Sequence, residues 1–440
     1  DDEKKWHTTI RGVKVYSPAE LAKASQLYNI EQVLLAIPSV PISRRREIVQ
    51  AIENCSLYVK TLPGMAAMVS GEVKFSDIKD VDIEDLLGRL PVPANQELLT
   101  KNIVNKVVLV TGAGGSIGSE LTRQIANLRP QKLILLDSSE FALYTIEQEL
   151  RIHYAYIKIS VILASVTNAK TMEQILNKYH VNTIYHAAAY KHVPMVEANP
   201  LAGLENNVLG TYVVAQAALN AKVDSMVLIS TDKAVRPTNV MGASKRLAEL
   251  TLQAFADYSG HTVFNMVRFG NVLGSSGSVV PLFKRQIKAG GPITVTHPDI
   301  IRYFMTIPEA VELVIQAGNM AKGGEVFVLD MGDPVKIVDL AKKMIYLSGF
   351  TVRDFEHVDG DIEIKFTGLR PGEKLYEELL IGDNPHQTEH PRIMKANEKF
   401  IQLSELKPKL ALLGDCIRSG EAEQAILLLQ ELVREYKPAL

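Results

Sequence analysis

A glycine-spaced turn between an apolar strand and a helix constrains this chain most. Lys106-Val107-Val108-Leu109-Val110 is a short apolar run, the pattern of a strand covered on both faces. It leads into Thr111-Gly112-Ala113-Gly114-Gly115-Ser116-Ile117-Gly118, and a helical pattern follows from Ser119 to Leu128. The glycines have separate tasks. Gly112 permits a tight turn, Gly115 lets the backbone approach a pyrophosphate, and Gly118 lets the helix pack close to the strand. Ser116 and Ile117 stand where free N–H groups and positive partial charge favour phosphate. Lys132-Leu133-Ile134-Leu135-Leu136-Asp137 then ends in an acid about 20 residues on, as a dinucleotide site requires. Asp137, with Ser138 beside it, is placed to bond the adenosine ribose and to repel a 2′-phosphate. The expected cofactor is therefore NAD, not NADP.

Further strands extend the site. Val161-Ile162-Leu163-Ala164 delivers Ser165 and Val166 near the adenine. Thr183-Ile184-Tyr185-His186 delivers Ala187 and Ala188, small enough for a nicotinamide to lie against the backbone. Lys191 and His192 follow and suit a substrate phosphate, although His192 also reads as a hydrogen-bonded loop histidine. Asn207 opens the next helix and is counted with the cofactor residues. Strands alternating with helices predict an α/β fold with a doubly wound, parallel Rossmann-type sheet.

Chemistry concentrates after the next buried strand, Met226-Val227-Leu228-Ile229. Ser230-Thr231-Asp232-Lys233 places a hydroxyl, a carboxylate and an ammonium in succession at the strand's carboxyl end, where such sheets hold ligands. Helical spacing from Gly242 puts Met241 and Lys245 on one face. The Gly/Ser loop from Gly274 to Val280 is a candidate cradle for a second diphosphate. Arg370, in Gly368-Leu369-Arg370-Pro371-Gly372-Glu373-Lys374, suits phosphate or ribose, and a helix is expected after this turn. Asn271, Val279, Thr294, Arg302, Arg370 and Glu373 complete the expected substrate side, with Lys191 and His192.

The chain divides into an N-terminal truncated Rossmann-like domain (1–92), a catalytic domain (93–290), an interleaved substrate cap (291–400) and C-terminal helices (401–440). In the first domain Gly12–Tyr16, Glu31–Ile37 and Leu57–Lys60 read as strands of a parallel sheet, with helices between them and no glycine turn. Prolines in 86–93 suggest a linker. The opening Asp1-Asp2-Glu3-Lys4-Lys5 reads as the loop after a strand, so a longer parent protein is expected. A net charge of −2 over 440 residues gives no electrostatic case for nucleic acid. The two cysteines, Cys55 and Cys416, form neither a disulfide framework nor a metal site.

The glycine turn, the run His186 to Pro194, the run Thr231 to Lys245 and Arg370-Pro371-Gly372-Glu373 resemble the extended short-chain dehydrogenase/reductase superfamily. Within it, they look like the nucleotide-sugar 4,6-dehydratases of the long, membrane-attached polysaccharide-biosynthesis branch. The resemblance implies UDP-N-acetylglucosamine as substrate, a 4-keto-6-deoxy product for bacterial glycans, and a homo-oligomer. It also implies a place on the cytoplasmic side of the bacterial inner membrane through a preceding segment, this piece being soluble. In the wider superfamily a tyrosine stands four residues before the lysine. Here that position is Met241, and a thioether moves no proton. The implied roles are Asp232 as acid at the 6-hydroxyl and Lys233 as base at C5, which must be uncharged to act. Lys245 would hold the nicotinamide ribose and Thr231 the 4-hydroxyl. Alternative readings are a 4-epimerase, a 5-epimerising dehydratase, or a non-catalytic dinucleotide sensor. The acceptor of the 4-hydroxyl proton is left open.

Overall fold

The computed structural model describes residues 3–37, 40, 42–53, 55, 57–62, 79–80, 92–355, 357–378, 385–396 and 398–438. Residues 86–91 of the expected linker lie outside these. The chain forms two compact units, one of residues 93–276, 305–333 and 369–440, the other of 1–92, 277–304 and 334–368.

The first of these units is built on a nine-stranded sheet. In chain order its elements are β1 (Val107–Thr111), α1 (Ser116–Asn127), β2 (Lys132–Asp137), α2 (Glu140–His153), β3 (Ile159–Leu163), α3 (Ala169–Tyr179) and β4 (Thr183–His186). There follow α4 (Gly210–Asn220), β5 (Ser225–Ile229), α5 (Val240–Tyr258), β6 (Val263–Arg268), α6 (Ile307–Met320), β7 (Val326–Leu329), β8 (His386–Gln387), β9 (Ile393–Ala396), α7 (Leu403–Ser419) and α8 (Ala422–Leu432). The strand order is β8-β9-β7-β6-β5-β4-β1-β2-β3. β1 to β7 run parallel, while β9 and β8 add antiparallel strands at one edge. Order reverses between β1 and β4, so the carboxyl ends of these two strands flank the crevice where doubly wound sheets bind ligands. The strand residues explain the parallel core: β1 and β5 are buried at all five positions, which only helices on both faces allow.

Helix α5 carries Met241 and Lys245, and every residue from Val240 to Phe255 is buried. Two apolar stripes at helical spacing make this possible. Ala248, Leu252 and Phe255 join the sheet core. Ala243, Leu247, Leu250 and Ala254 face a second cluster supplied by α7, α8 and residues 196–208. Polar residues between the stripes must then find partners. Arg246 and Glu249, with Arg268 of β6 and Glu398 after β9, form a closed quartet in which none is more than 3% exposed. Arg268 Nε is 2.7 Å from Glu249 Oε1, and Arg246 is 2.8 Å from Glu398.

The other unit collects small sheets. Gln32–Leu35 and Tyr58–Thr61 pair in parallel, as expected. Gly12–Tyr16 does not join them. Val13–Lys14 instead pairs antiparallel with Thr9–Ile10. Arg11 and Gly12 both have positive φ, the condition for a tight two-residue hairpin turn, and the four strand residues are exposed. Helix Ile337–Leu347 packs on helix Ile42–Glu53 and on Tyr58–Thr61. It also packs on Ile293–Val295, which pairs in parallel with Ile362–Phe366. The N-terminal segment and parts of the expected cap thus share one unit. Among the described residues no helix is long and apolar enough to cross a membrane.

Arg268→Met would leave Glu249 and Glu398 buried with one arginine between them. Breaking a buried ion pair from one side costs about 3–5 kcal/mol. A denaturant titration should show a stability loss of that size, whereas loss of Lys106, half exposed beside Asp224, should cost about 1 kcal/mol or less.

Candidate active site

The glycine turn is built as its spacing requires. Gly112 has φ +67°, and a Cβ there would lie 2.7 Å from Ala188 N. A Cβ on Gly118 would lie 1.9 Å from Gly112 O, so only glycine lets α1 approach the turn. Gly115 meets nothing nearer than Gly112 O at 3.3 Å, leaving the backbone approachable. Gly114 has a task not anticipated: a Cβ there would strike Ala142 of α2. α1 starts at Ser116 rather than Ser119, so Ser116 and Ile117 belong to its first turn and present free N–H groups. Asp137 is fixed at the end of β2 by Gly114 N and Ser139 N, each donating at 2.9 Å. Ser138 is exposed beside it. Ser165 shares a 2.8 Å hydroxyl contact with Thr167, and Val166 is buried in the sheet core. Ala187 N donates to Thr111 O, drawing the Ala187–Ala188 loop against the turn. Ser276, in the Gly/Ser loop, donates its N–H to Ser116 Oγ at 3.2 Å.

The triplet after β5 forms one hydrogen-bonded cluster. Asp232 is 2% exposed. Its Oδ1 accepts from Thr231 Oγ1 at 2.9 Å and from Lys233 Nζ at 3.0 Å. Lys233 Nζ also donates to Asn271 Oδ1 at 3.3 Å and lies 3.7 Å from Glu377 Oε1. Ser230 anchors the loop from below: its hydroxyl donates to Glu249 Oε1 at 2.5 Å, and its backbone N–H bonds Val267 O. The loop then lies on the start of α5. A Cβ on Gly242 would fall 2.2 Å from Lys233 O, and Asn239 caps the helix by accepting from Gly242 N.

Lys245 is 4% exposed, and its Nζ has no hydrogen-bond partner among the described residues. Burial lowers its pKa to about 8, partly opposed by the Glu249 carboxylate. Near it, His186 is fully buried between Thr111 Oγ1 (2.7 Å from Nδ1) and Thr211 Oγ1 (3.1 Å from Nε2). Thr211 already donates to Asn207 O, so it accepts from Nε2–H, and Nδ1 accepts from Thr111. Burial first, and the Lys245 charge second, depress this imidazole to about 3. Asn207 binds Tyr190 through its N–H and C=O at 2.8 and 3.0 Å, and donates to Ser244 Oγ at 2.9 Å. Its side chain therefore ties the loop after β4 to α5. Lys191 is exposed over much of its length, yet enclosure of its ammonium, and then the charge of Lys233, lower its pKa. His192 is lowered by burial and then by Lys191.

Met241 is 2% exposed and packs in the apolar cluster beneath α7 and α8. Arg370 is exposed, and its N–H donates to Glu373 Oε2 at 3.1 Å. The turn they form is fastened to the α5 cap: Gly372 O accepts from Thr238 Oγ1 and Asn239 Nδ2, both at 3.0 Å. Residues 375–378 are not helical, contrary to the expected helix. Lys374 bonds Val235 O and Arg236 bonds Glu378, so this segment's charges are directed at the loop after Lys233 and not along a helix face. Val279, Thr294 and Arg302 belong to the other unit. Val279 opens a helix, Thr294 bonds Gln286, and Arg302 bonds Ile301 O. Sequence reasoning missed Glu377, His186 and Glu249. Glu377 had no signal, whereas the apolar spacing of α5 marks Glu249 as buried and so in need of a cation.

These residues fit a dinucleotide. The turn accepts a pyrophosphate where side chains are forbidden, Asp137 is aimed by the turn itself, and the buried Lys245 ammonium awaits an acceptor. The fold and site define a doubly wound protein of the Rossmann type. The chain belongs to the polysaccharide biosynthesis protein family, whose model matches residues 108–398. CapD of Staphylococcus aureus, a capsular polysaccharide biosynthesis protein, is 49% identical over 391 residues, 88% of this chain. The match spans 64% of the length of CapD, and likewise 64% of EpsC of Bacillus subtilis. The structure of Pen from Bacillus thuringiensis is 32% identical with a TM-score of 0.59, covering 68% of this chain and 92% of Pen. DesIV from Streptomyces venezuelae, a dTDP-glucose 4,6-dehydratase whose structure holds NAD, shares the fold at 23% identity and a TM-score of 0.54, over 62% of this chain and 87% of its own.

His186 gives a pH test of this core. Its folded value, about 3, lies below the ordinary 6.5, so the unfolded chain binds the extra proton between these values. Stability should therefore fall as pH drops from about 6.5 toward 3. In His186→Gln, denaturation midpoints should lose that component of the acid slope. An unchanged slope would mean that His186 is not the group held neutral.

Proposed function

We propose that this chain carries out the NAD-dependent dehydration of UDP-N-acetylglucosamine to a UDP-linked 4-keto-6-deoxy sugar, within polysaccharide biosynthesis. The class, a nucleotide-sugar enzyme of the dehydratase/epimerase type, follows from its family and from the fold shared with DesIV. The observation that carries dehydration over epimerisation is the buried Asp232, which accepts from both Thr231 and Lys233. An epimerase moves no proton at C5 or O6 and has no use for that pair.

The cofactor is NAD; when bound it supplies reversible oxidation, removing hydride at C4 and returning it at C6. The chain's own groups handle the protons. Thr231 holds the 4-hydroxyl and, through its 2.9 Å bond, passes that proton to Asp232. Asp232 thereby becomes the acid that the departing 6-hydroxyl needs. Lys233 takes the C5 proton and later returns it to the same carbon. Two protons leave the sugar and two come back, so no tyrosine is required, and Met241 is left to packing. Lys245, cationic in a water-poor pocket, binds the nicotinamide ribose and favours charge loss at C4. Lys191 and His192 attract the diphosphate. Arg370, Glu373 and Asn271 remain the proposed substrate contacts of this unit, with Asn271 also steadying Lys233.

Incubation with UDP-N-acetylglucosamine should yield a 4-keto-6-deoxy product by proton NMR, which also reads the C5 configuration. A 4-epimer without keto sugar would point to an epimerase, and neither product to a dinucleotide sensor. Asp232→Asn and Lys233→Ala should each cost at least about 100-fold in kcat while NAD stays bound. Near-normal turnover of either would remove its assigned role. Because Lys245 loses its charge through about pH 8, activity should decline as pH rises past that value. Lys245→Arg, if folded and active, should lack that decline.

A further inference from the structure

Lys233 can act as a base only as a free amine, and as an ammonium it must first give up a proton. Among the described residues, Asp232 lies 3.0 Å from it on its own loop and Glu377 lies 3.7 Å from it on the segment fastened to the α5 cap. Lys191, on the loop after β4, is close enough to feel the charge of Lys233. The neighbouring Lys374 and Arg236 are engaged by Glu378. Asp232 is already committed, since it receives the C4 proton and gives it to O6. Glu377 has no role in that scheme, although its side chain is only 5% exposed beside a reacting group.

We propose that Glu377 is the proton partner of Lys233, taking a proton from its ammonium to free the amine that abstracts the C5 proton. This rests on the dehydratase reading above. The step balances within the site. One N–H bond of Lys233 breaks and one O–H bond of Glu377 forms, which cancels both charges where little water reaches them. Lys233 then takes the C5 proton, returns it to C5, and recovers its own from Glu377. Closing 3.7 Å to hydrogen-bond distance needs less than about 1 Å of side-chain movement. Because the proton never leaves the pair, the step does not depend on bulk pH. Glu377 is a positioning residue, since it touches Lys233 and not the sugar.

The test is Glu377→Gln in the full chain, assayed beside wild type and Glu377→Asp for keto-sugar formation across pH 6.5 to 9. With glutamine in place the Lys233 proton must leave to solvent. The variant should lose about 10- to 100-fold in kcat near neutrality, with KM changed less than about threefold. That loss should shrink as pH rises, by up to about tenfold per pH unit. Glu377→Asp should restore much of the rate. A wild-type rate in Glu377→Gln, or a loss equal at every pH, would overturn the proposal; the latter would mark a merely structural carboxylate. If wild type itself made no keto sugar, the dehydratase reading would fail instead, so the two failures are distinct.

Discussion

The buried quartet of Arg246, Glu249, Arg268 and Glu398 is the interaction on which the catalytic end of the sheet depends. It joins α5, β6 and the segment after β9 in a space where no single charge could be held alone. Each cation touches both anions, so desolvation is offset only while all four are present. From it, Ser230 transmits order to Thr231, Asp232 and Lys233 through the hydroxyl bond to Glu249. The same carboxylate opposes the effect of burial on Lys245, one helical turn away. One ionic cluster therefore supports both the residues proposed for elimination and the lysine proposed to hold the cofactor.

Above this base the site is arranged by close backbone approach. Gly112, Gly118 and Gly242 each occupy positions where a methyl group would meet main-chain atoms. The first two bring the turn against α1 and the Ala187–Ala188 loop. The third seats the Lys233 loop on α5. A second set of uncharged contacts, His186 with two threonines and Asn207 with Tyr190 and Ser244, links β1, β4, α4 and α5 around Lys245. Ionic and neutral networks are kept apart, and Lys245 is buried between them.

Local features made much of this legible in the sequence. The glycine turn, Asp137 and the Thr231–Lys233 triplet each follow a buried strand within a few residues, so chain order alone places them at the carboxyl edge. Helical spacing likewise brought Met241 and Lys245 together. What escaped depended on distant segments. Glu377 and Glu398 reach the site from residues far along the chain, and no period announces them. Gly12–Tyr16 misled because a short apolar alternation suits a hairpin as well as a parallel strand, and the positive φ of Arg11 decides between them. Nor does sequence order reveal that residues 277–304 and 334–368 join the N-terminal unit.

In the proposed reaction the absence of a tyrosine at Met241 changes the proton route and leaves the chemistry intact. C4 and C6 then exchange hydrogen within one active site while Thr231, Asp232 and Lys233 manage the protons. The most direct measurement uses UDP-N-acetylglucosamine carrying deuterium at C4. The label should appear at C6 of the 4-keto-6-deoxy product. Deuterium retained at C4 of an epimer, or lost to solvent without reaching C6, would contradict it.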